Sequence, residues 1–180
     1  MLTTVIPYRG DGKTRLPGAL RGAAARAMLG DVVAAARPLG PVLVVTDDPG
    51  VVPHGASHVE DPGGGQGAAL TAALALVDGH VLVVNADLPC ATSGALRRLA
   101  DAGLALVEAP DGTTNALSLP DPGLYAPLHG PGSSERFREH APFAVVRIPE
   151  LELDVDTLDD LERAGSRAGP RTRALLAVPA

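Results

Sequence analysis

Short apolar runs rich in valine alternate along the first part of the chain with longer stretches rich in alanine and leucine. The runs with the length and composition of buried strands are residues 2–6, 42–46, 81–85 and 104–108. The stretches between them that are long enough for helices are about residues 18–36, 66–78 and 92–102. This alternation predicts an α/β fold, in which a mainly parallel mixed sheet is flanked by helices on both faces.

The alternation breaks after residue 108, and prolines at positions 110, 120, 122, 127 and 131 interrupt a long segment before residues 143–148 resume a strand pattern. We interpret residues 110–135 as a strand and loops that close over a substrate, because an apolar run lies within this segment. The last helix should begin at Thr157, whose hydroxyl can cap it. The side chain of Asp160, three residues on, can accept a hydrogen bond from Thr157 in turn. We expect a single domain over residues 1–167 and a mobile tail over residues 168–180.

Composition and charge narrow the classes of partner. Fifteen basic and 21 acidic residues leave a net charge of -6, which argues against broad binding to nucleic acid or to an anionic membrane. An aromatic content of 2% does not suit base stacking on single strands. A single cysteine, Cys90, excludes an internal disulfide and a Cys-rich zinc site. With no apolar run of the roughly 18 residues that span a membrane, we expect a cytoplasmic protein.

An aspartate follows the apolar run at residues 81–84, where a carboxylate is costly to bury unless a cation pairs with it. This residue, Asp87, should lie at the edge of the sheet where parallel folds bind ligands. The competing role for Asp87 is the N-cap of a helix, but Thr92 and Ser93 stand closer to the expected helix start. We therefore interpret Asp87 as a metal ligand.

Two further aspartates end a second strand-like run at residues 151–157. In a strand, residues two apart point to the same side, so Asp154 and Asp156 should face one way and Val155 the other. Two carboxylates at short range repel each other unless a cation lies between them. Together with Asp87, this pair suggests a metal site that could hold a nucleoside triphosphate.

Two glycine-containing segments could approach phosphates or a nucleoside. In the loop at residues 9–16, backbone near Gly12 can come close to phosphates, and Lys13 and Arg15 could bind their oxygens. The loop lacks the Walker A spacing, and a solvated basic turn is the alternative. Residues 61–67 place three glycines before a helix whose first N–H groups could contact a base or ribose, with a flexible surface turn as the alternative.

Glycines and hydroxyl groups are also concentrated at residues 111–115 and 129–134. They supply neutral donors for a small phosphorylated acid, which fits a protein of net negative charge. Each piece alone could be an ordinary turn. The five histidines show no ligand spacing such as H-E-x-x-H, so we expect no zinc site.

Taken together, these segments resemble one family, the guanylyltransferases of coenzyme F420 biosynthesis, known as 2-phospho-L-lactate or phosphoenolpyruvate guanylyltransferases. The resemblance runs from about residue 6 to residue 165. It rests on Lys13-Thr-Arg-Leu16, Met28-Leu-Gly-Asp-Val32, Val42-Leu-Val-Val-Thr-Asp47, Ala86-Asp-Leu-Pro89, Ala109-Pro-Asp111, Thr113-Thr-Asn-Ala-Leu117, His129-Gly-Pro-Gly-Ser133, Leu153-Asp-Val-Asp-Thr157 and Asp160-Leu161. Two segments depart from it: the family often has Leu-Asn at Gln66-Gly67, and Gly-Gly-Thr-Asn at residues 112–115.

The resemblance implies a single-domain nucleotidyltransferase of the glycosyltransferase-A, Rossmann-like type. In this reaction a phosphorylated three-carbon acid, phosphoenolpyruvate or 2-phospho-L-lactate, attacks the α-phosphorus of GTP and pyrophosphate leaves. The residues that match the family's metal ligands are Asp87, Asp154 and Asp156, and those that match its acid-binding positions are Thr114, Gly130 and Ser133. Our hypothesis adds Mg²⁺ as the cofactor, Lys13 as a catalytic residue, and a nucleotide site formed by Gly12, Arg15, Gly65, Gln66, Gly67 and Asp87.

The expected partners are GTP and a small phosphorylated acid, with no nucleic acid and no membrane, and a homodimer is left open. One alternative is a molybdenum cofactor nucleotidyltransferase, which shares the nucleotide half of the fold; the segments at residues 129–133 and 153–157 speak against it. The other is a non-catalytic nucleotide-binding protein of the same fold. The presence of all three aspartates counts against that reading.

Overall fold

A computed structural model describes residues 1–10 and 18–177 of the chain. In this part, seven strands form one sheet and α-helices pack against it. The strands are β1 (Leu2–Pro7), β2 (Val42–Thr46), β3 (Ser57–Glu60), β4 (His80–Val84), β5 (Ala105–Glu108), β6 (Thr114–Leu119) and β7 (Ala144–Val145). The helices are α1 (Gly18–Ala36), α2 (Gln66–Leu74), α3 (Ser93–Asp101), α4 (Ser133–His140), α5 (Pro149–Glu152), α6 (Leu158–Ala164) and α7 (Pro170–Leu176). None of these helices is long and apolar enough to cross a membrane.

The sheet is mixed and mainly parallel, as predicted. Its strand order is β3-β2-β1-β4-β6-β5-β7, and only β6 runs antiparallel to its neighbours. From the central strand β1 the chain crosses to β2 and β3 on one side and later returns to β4 on the other. Such a reversal opens a crevice at the carboxyl ends of the two central strands, where α/β proteins bind their ligands.

Both faces of the sheet are buried, which explains why the central strands read as continuous apolar runs. In β4, Leu82 and Val84 pack on one side with residues of α1 and α3, while Val81 and Val83 pack on the other side with residues of α2 and with Phe137. The alternation of side chains along a strand separates the two layers.

The elements of the first part agree closely with the sequence prediction. The strands β1, β2, β4 and β5 and the helices α1 and α3 begin and end within one or two residues of their expected limits, whereas α2 ends at Leu74, four residues early. The sequence prediction missed β3, whose side chains are mostly exposed at the edge of the sheet, and α4, which begins only at the end of the segment, residues 110–135, that we expected to form a strand and loops. That segment does contain a strand, β6.

The later part differs more. The predicted strand at residues 143–148 is reduced to the two residues of β7. Residues 151–157 are not a strand: Leu151 belongs to the short helix α5, which begins at Pro149, and residues 153–156 lie outside the described helices and strands. Proline favours the first position of a helix, which explains why a short helix and not a strand begins at Pro149. The capping box predicted between Thr157 and Asp160 is present at the start of α6.

The mobile tail that we expected from residue 168 is wrong for residues 168–177. Helix α7 packs against α1, and the buried carboxylate of Asp31 accepts hydrogen bonds from the backbone N–H groups of Arg171 and Thr172 at 3.1 and 2.9 Å. An aspartate at the N-terminus of a helix is stabilising because it satisfies donors that have no partner within the helix.

Candidate active site

Three carboxylates meet at the ligand-binding edge of the sheet. Asp87 lies on the loop between β4 and α3, and Asp154 and Asp156 lie on the run between α5 and α6. Each offers a carboxylate oxygen, and these oxygens all lie within 4.8 Å of one another. All three residues are half-buried. Carboxylate oxygens are the ligands that Mg²⁺ prefers, and a divalent cation would relieve the mutual repulsion of the three charges, so this donor set fits Mg²⁺.

The pairing of the two segments explains how residues so far apart in sequence come together. The backbone N–H of Val155 donates to the carbonyl of Asp87 at 3.0 Å. The side chain of Val155 is fully buried in an apolar cluster that includes Met28 and Leu161. With Val155 directed into the core, its two neighbours are directed to the opposite side, as the alternation predicts, although the segment is not part of the sheet.

A cavity of about 250 Å³ adjoins the carboxylates at the crevice between β1 and β4. It is lined by Pro7, Tyr8, Arg9, Ala25, Met28, Asp61, Gln66, Ala69, Asn85, Ala86, Asp87 and Asp156. A second cavity of about 700 Å³ shares Tyr8, Arg9 and Asp61 with the first and extends to Asp47 and Asp48 after β2. The two cavities thus follow the carboxyl ends of the parallel strands away from the carboxylate cluster.

The wall shared by the two cavities carries an ion pair. Arg9 Nε lies 3.0 Å from Asp61 Oδ2, and Asp61 Oδ1 accepts from the backbone N–H of Gly63. Burial raises the pKa of Asp61, but the hydrogen bonds from Arg9 and Gly63 outweigh this effect and lower the pKa overall. Asp61 is therefore ionised at neutral pH and opens the turn that leads to α2.

That turn depends on glycine. Gly63, Gly64 and Gly65 have φ angles of +79°, +81° and +97°, a region that side chains other than glycine rarely adopt. The turn directs the N-terminus of α2 toward the cavity, where Gln66 is a lining residue. The contact of these residues with a base or ribose, one of the two alternatives that the sequence left open, stays a prediction.

A chain of amide groups links α2, β4 and β6. Asn85 Nδ2 donates to the carbonyl of Thr114 at 3.2 Å, and Gln66 Nε2 donates to Asn85 Oδ1 at 2.9 Å. Because a backbone carbonyl only accepts, it dictates which end of the Asn85 amide faces it, and Asn85 in turn dictates the orientation of Gln66. Asn85 thereby connects the predicted nucleotide segment with the predicted acid segment.

Gly67, at one of the two positions that depart from the family pattern, permits close packing. A Cβ atom at this position would lie 2.8 Å from Cβ of Pro127, closer than nonbonded carbon atoms approach. Helix α2 therefore contacts the loop after β6 directly, and the asparagine common in the family would not fit here without a shift of that loop.

The three predicted acid-binding residues come together next to this loop. Ser133 Oγ donates to Thr114 Oγ1 at 3.1 Å, and the backbone N–H of Ser133 donates to the carbonyl of Gly130 at 3.0 Å. Gly130 has a φ of +115°. Arg136 braces the same loop by donating to the carbonyls of Leu128 and Pro131. The result is a compact turn with two hydroxyl groups at its base.

Aromatic packing supports this turn from below. His129 packs against Tyr125 and Phe137, with ring centroids 5.9 and 5.2 Å apart, and Phe137 packs in turn against Phe143. Burial, together with the nearby charge of Arg136, lowers the pKa of His129 to about 4. His129 is therefore neutral at pH 7, and its Nδ1 lies 3.3 Å from the Tyr125 hydroxyl.

Other predicted residues fall elsewhere. Gly12, Lys13 and Arg15 lie outside the described residues. Cys90 is a buried free thiol whose pKa is raised by burial, in keeping with a packing role. Neither Asn85 nor Asn115 is predicted from the sequence as a functional residue. Asn85 stands two residues before Asp87 at the end of a strand, and this position is the signal that could have indicated it.

Comparisons with known proteins agree with this geometry. Residues 17–127 match the family described as the MobA-like NTP transferase domain. A phosphoenolpyruvate guanylyltransferase from Streptomyces scabiei is 38% identical over 207 aligned positions, which cover 97% of this chain and 95% of that protein. A 2-phospho-L-lactate guanylyltransferase from Methanoregula boonei is 32% identical and covers 96% of this chain and 86% of that protein.

Solved structures support the fold. A putative nucleotide-diphospho-sugar transferase from Desulfovibrio desulfuricans superposes with a TM-score of 0.70 at 18% identity and covers 97% of this chain and 93% of its own. A 2-C-methyl-D-erythritol 4-phosphate cytidylyltransferase from Thermus thermophilus superposes with a TM-score of 0.62 at 21% identity, with 98% of both chains covered. The chain therefore has the fold of the nucleotide-diphospho-sugar transferases.

Proposed function

Because the chain belongs to the family of phosphoenolpyruvate and 2-phospho-L-lactate guanylyltransferases and is a nucleotidyltransferase, we propose that it joins GMP from GTP to a phosphorylated three-carbon acid. An oxygen of the acid's phosphate attacks the α-phosphorus of GTP. The bond from the α-phosphorus to the bridging oxygen breaks, and pyrophosphate leaves. Coenzyme F420 biosynthesis, the pathway that the sequence resemblance implies, is part of the same proposal.

The observation that carries the proposal is the carboxylate cluster beside the crevice. Asp87, Asp154 and Asp156 would hold Mg²⁺, since three carboxylates within 4.8 Å offer the oxygen ligands that it prefers. When bound, Mg²⁺ neutralises charge on the triphosphate and on the leaving pyrophosphate. The rest of the triphosphate is assigned to Lys13 and Arg15 of the first loop, and the nucleoside to the cavity lined by Gln66.

No protein base is required in this reaction. The phosphate of the acid is already ionised at neutral pH, so orientation and electrostatic stabilisation supply most of the rate. The acid is assigned to the turn formed by Thr114, Gly130 and Ser133, whose hydroxyl groups are neutral donors. A hydroxyl that donates to a phosphate or carboxylate oxygen orients the acid without adding a titrating group to the site.

The test is a pyrophosphate-release assay that crosses three acids, phosphoenolpyruvate, 2-phospho-L-lactate and 3-phosphoglycerate, with the four common ribonucleoside triphosphates. We expect release with GTP and with one of the first two acids. Release only with ATP or CTP would contradict the assignment of the base, and GTP binding without release for any acid would favour a non-catalytic protein.

The largest effect of a single substitution is expected at the carboxylates. Asp87→Asn and Asp156→Asn should each lower pyrophosphate release by about 10³-fold or more, because each removes a charged ligand from the site of phosphoryl transfer. Circular dichroism should show both variants folded, since the substitution is isosteric. Turnover near that of the wild type in both variants would refute the metal assignment.

A further inference from the structure

Hydrogen bonds through Asn115 join the two carboxylate-bearing segments. Together with the short stretches of chain between them, these bonds form a closed ring. The carbonyl of Asn115 accepts from the backbone N–H of Asn85 at 3.0 Å, two residues before Asp87. Its side-chain Nδ2 donates to the carbonyls of Leu151 and Glu152, both at 3.1 Å, just before Asp154. The bond from Val155 to the Asp87 carbonyl closes the ring.

The orientation of the Asn115 amide is unambiguous. Both partners of Nδ2 are carbonyl oxygens, which only accept, so the amide nitrogen must face them and both of its protons are used. The residue is 2% exposed. Reorienting this buried amide would cost free energy, because the carbonyls of Leu151 and Glu152 would both lose their hydrogen-bond donor.

These two carbonyls belong to the last residues of α5. The final carbonyls of a helix have no partner within the helix, and Asn115 supplies donors to two of them. By satisfying Leu151 and Glu152, Asn115 determines where α5 ends and where the extended run begins. A shift of that run by one residue would direct Val155 toward the cavity and both aspartates toward the core.

We propose that Asn115 is a positioning residue for the metal ligands, which sets the register at which Asp154 and Asp156 meet Asp87. This inference rests on the proposed function, since it assumes that the three carboxylates bind a divalent cation. Asn115 itself touches neither the metal nor the substrates in this account; it acts through the backbone of the second segment.

The test compares Asn115→Leu, which keeps the volume and removes both donors, with Asn115→Ser, which keeps one. Mn²⁺ binding to the protein without nucleotide is followed by the EPR signal of free Mn²⁺. We expect Asn115→Leu to weaken Mn²⁺ binding about tenfold or more and Asn115→Ser to have an intermediate effect. In the pyrophosphate assay, the Mg²⁺ concentration for half-maximal rate should rise in the same order.

The matched control is Ser118→Ala, on the same strand. Ser118 Oγ is bonded to His80 Nε2 at 2.8 Å, across the same pair of strands β4 and β6 but at the opposite edge of the sheet. Its loss should lower stability without changing Mn²⁺ affinity by more than about twofold. Excess Mg²⁺ should restore the rate of the Asn115 variants but not that of Asp156→Asn. A general loss of packing would not be reversed by Mg²⁺, so this rescue distinguishes a positioning role from a purely structural one.

The possible failures are distinguishable. If Asp156→Asn binds Mn²⁺ as tightly as the wild type does, the metal site of the proposed function is wrong, and the role of Asn115 is wrong with it. If Asp156→Asn does weaken it while folded Asn115→Leu and Asn115→Ser bind Mn²⁺ like the wild type, the metal site stands and the inference about Asn115 is wrong. Should Asn115→Leu fail to fold, Asn115→Ser alone decides between these results.

Discussion

Two regions bring functional groups to the same edge of the sheet in different ways: the nucleotide region, residues 1–108, to which the proposed function assigns the nucleoside triphosphate, and the acid region, residues 109–164, to which it assigns the acid. In the nucleotide region Asp87 reaches the edge because its own strand ends there. In the acid region β6 runs antiparallel, so that Thr114 lies at the edge because its strand begins there. Asp154 and Asp156 are on no described strand and are held by hydrogen bonds to both regions.

This difference indicates which part of the site is most sensitive to substitution. A residue at the end of a central parallel strand is placed by the whole ladder of backbone hydrogen bonds on either side of it. A residue on an unpaired segment is placed by individual contacts, which here include the amide of Asn115, one backbone bond to Asp87 and the buried side chain of Val155. Changes that act on this unpaired segment should therefore alter function at a smaller cost in stability than changes in the central parallel strands.

Acidification should destabilise the protein through His129, which lies in the acid region. Its pKa of about 4 in the folded protein lies below the ordinary value of 6.5, so between pH 6.5 and about 4 the unfolded chain binds a proton that the folded chain does not. The free energy of unfolding should fall as the pH falls through this window, by up to about 3 kcal/mol. Denaturant unfolding of wild type and His129→Gln across pH 7.5 to 4 measures it.

The Gln variant isolates this contribution from that of the carboxylates, which also titrate at the lower end of the window. The difference in unfolding free energy between the two proteins should shift in favour of His129→Gln as the pH falls. A difference that does not change with pH would show that His129 titrates alike in the folded and unfolded states.

A methyl group at the contact between the regions should have the next largest effect. Gly67→Ala places a Cβ 2.8 Å from that of Pro127, and relief of such overpacking costs about 1–3 kcal/mol. Since the displaced loop leads to Gly130, we expect the KM for the acid to rise several-fold while kcat changes less. Gly94→Ala in α3 is the control, because its Cβ would meet only ordinary contacts; equal KM values in the two variants would mean that the contact does not position the acid.

The smallest effect is expected at the surface link between the regions. Arg98 in α3 and Glu150 in α5 form an ion pair of 2.8 Å, with side chains 53% and 36% exposed. Exposed pairs contribute about 0.2–1 kcal/mol, so Arg98→Ala should leave both the melting temperature and the Mg²⁺ requirement almost unchanged. A double-mutant cycle with Glu150→Ala measures the coupling, and a clear rise in the Mg²⁺ requirement would give this pair a part in placing the aspartates that we assign to Asn115.

Prediction from the sequence succeeded where structure is local or periodic. The apolar runs of the central strands, the start of α3 near Thr92 and Ser93, the cap at Thr157, and the opposite directions of Val155 and its neighbours follow from spacing and side-chain chemistry. Prediction failed at the run that begins with Leu151 and at the C-terminus. The end of α5 depends on a donor 36 residues away, and the docking of α7 depends on Asp31, about 140 residues away.

The sequence by itself determined the kind of fold, the identity of the carboxylates and the family, because hydrophobic period and motif order are properties of the chain alone. Only the tertiary structure decided how the two carboxylate segments meet and that Asn85 and Asn115 connect them. Their amides have no periodic signature, and their partners are backbone carbonyls, which every residue carries. Which carbonyls they bond is settled only when the sheet brings β4, β6 and the end of α5 side by side.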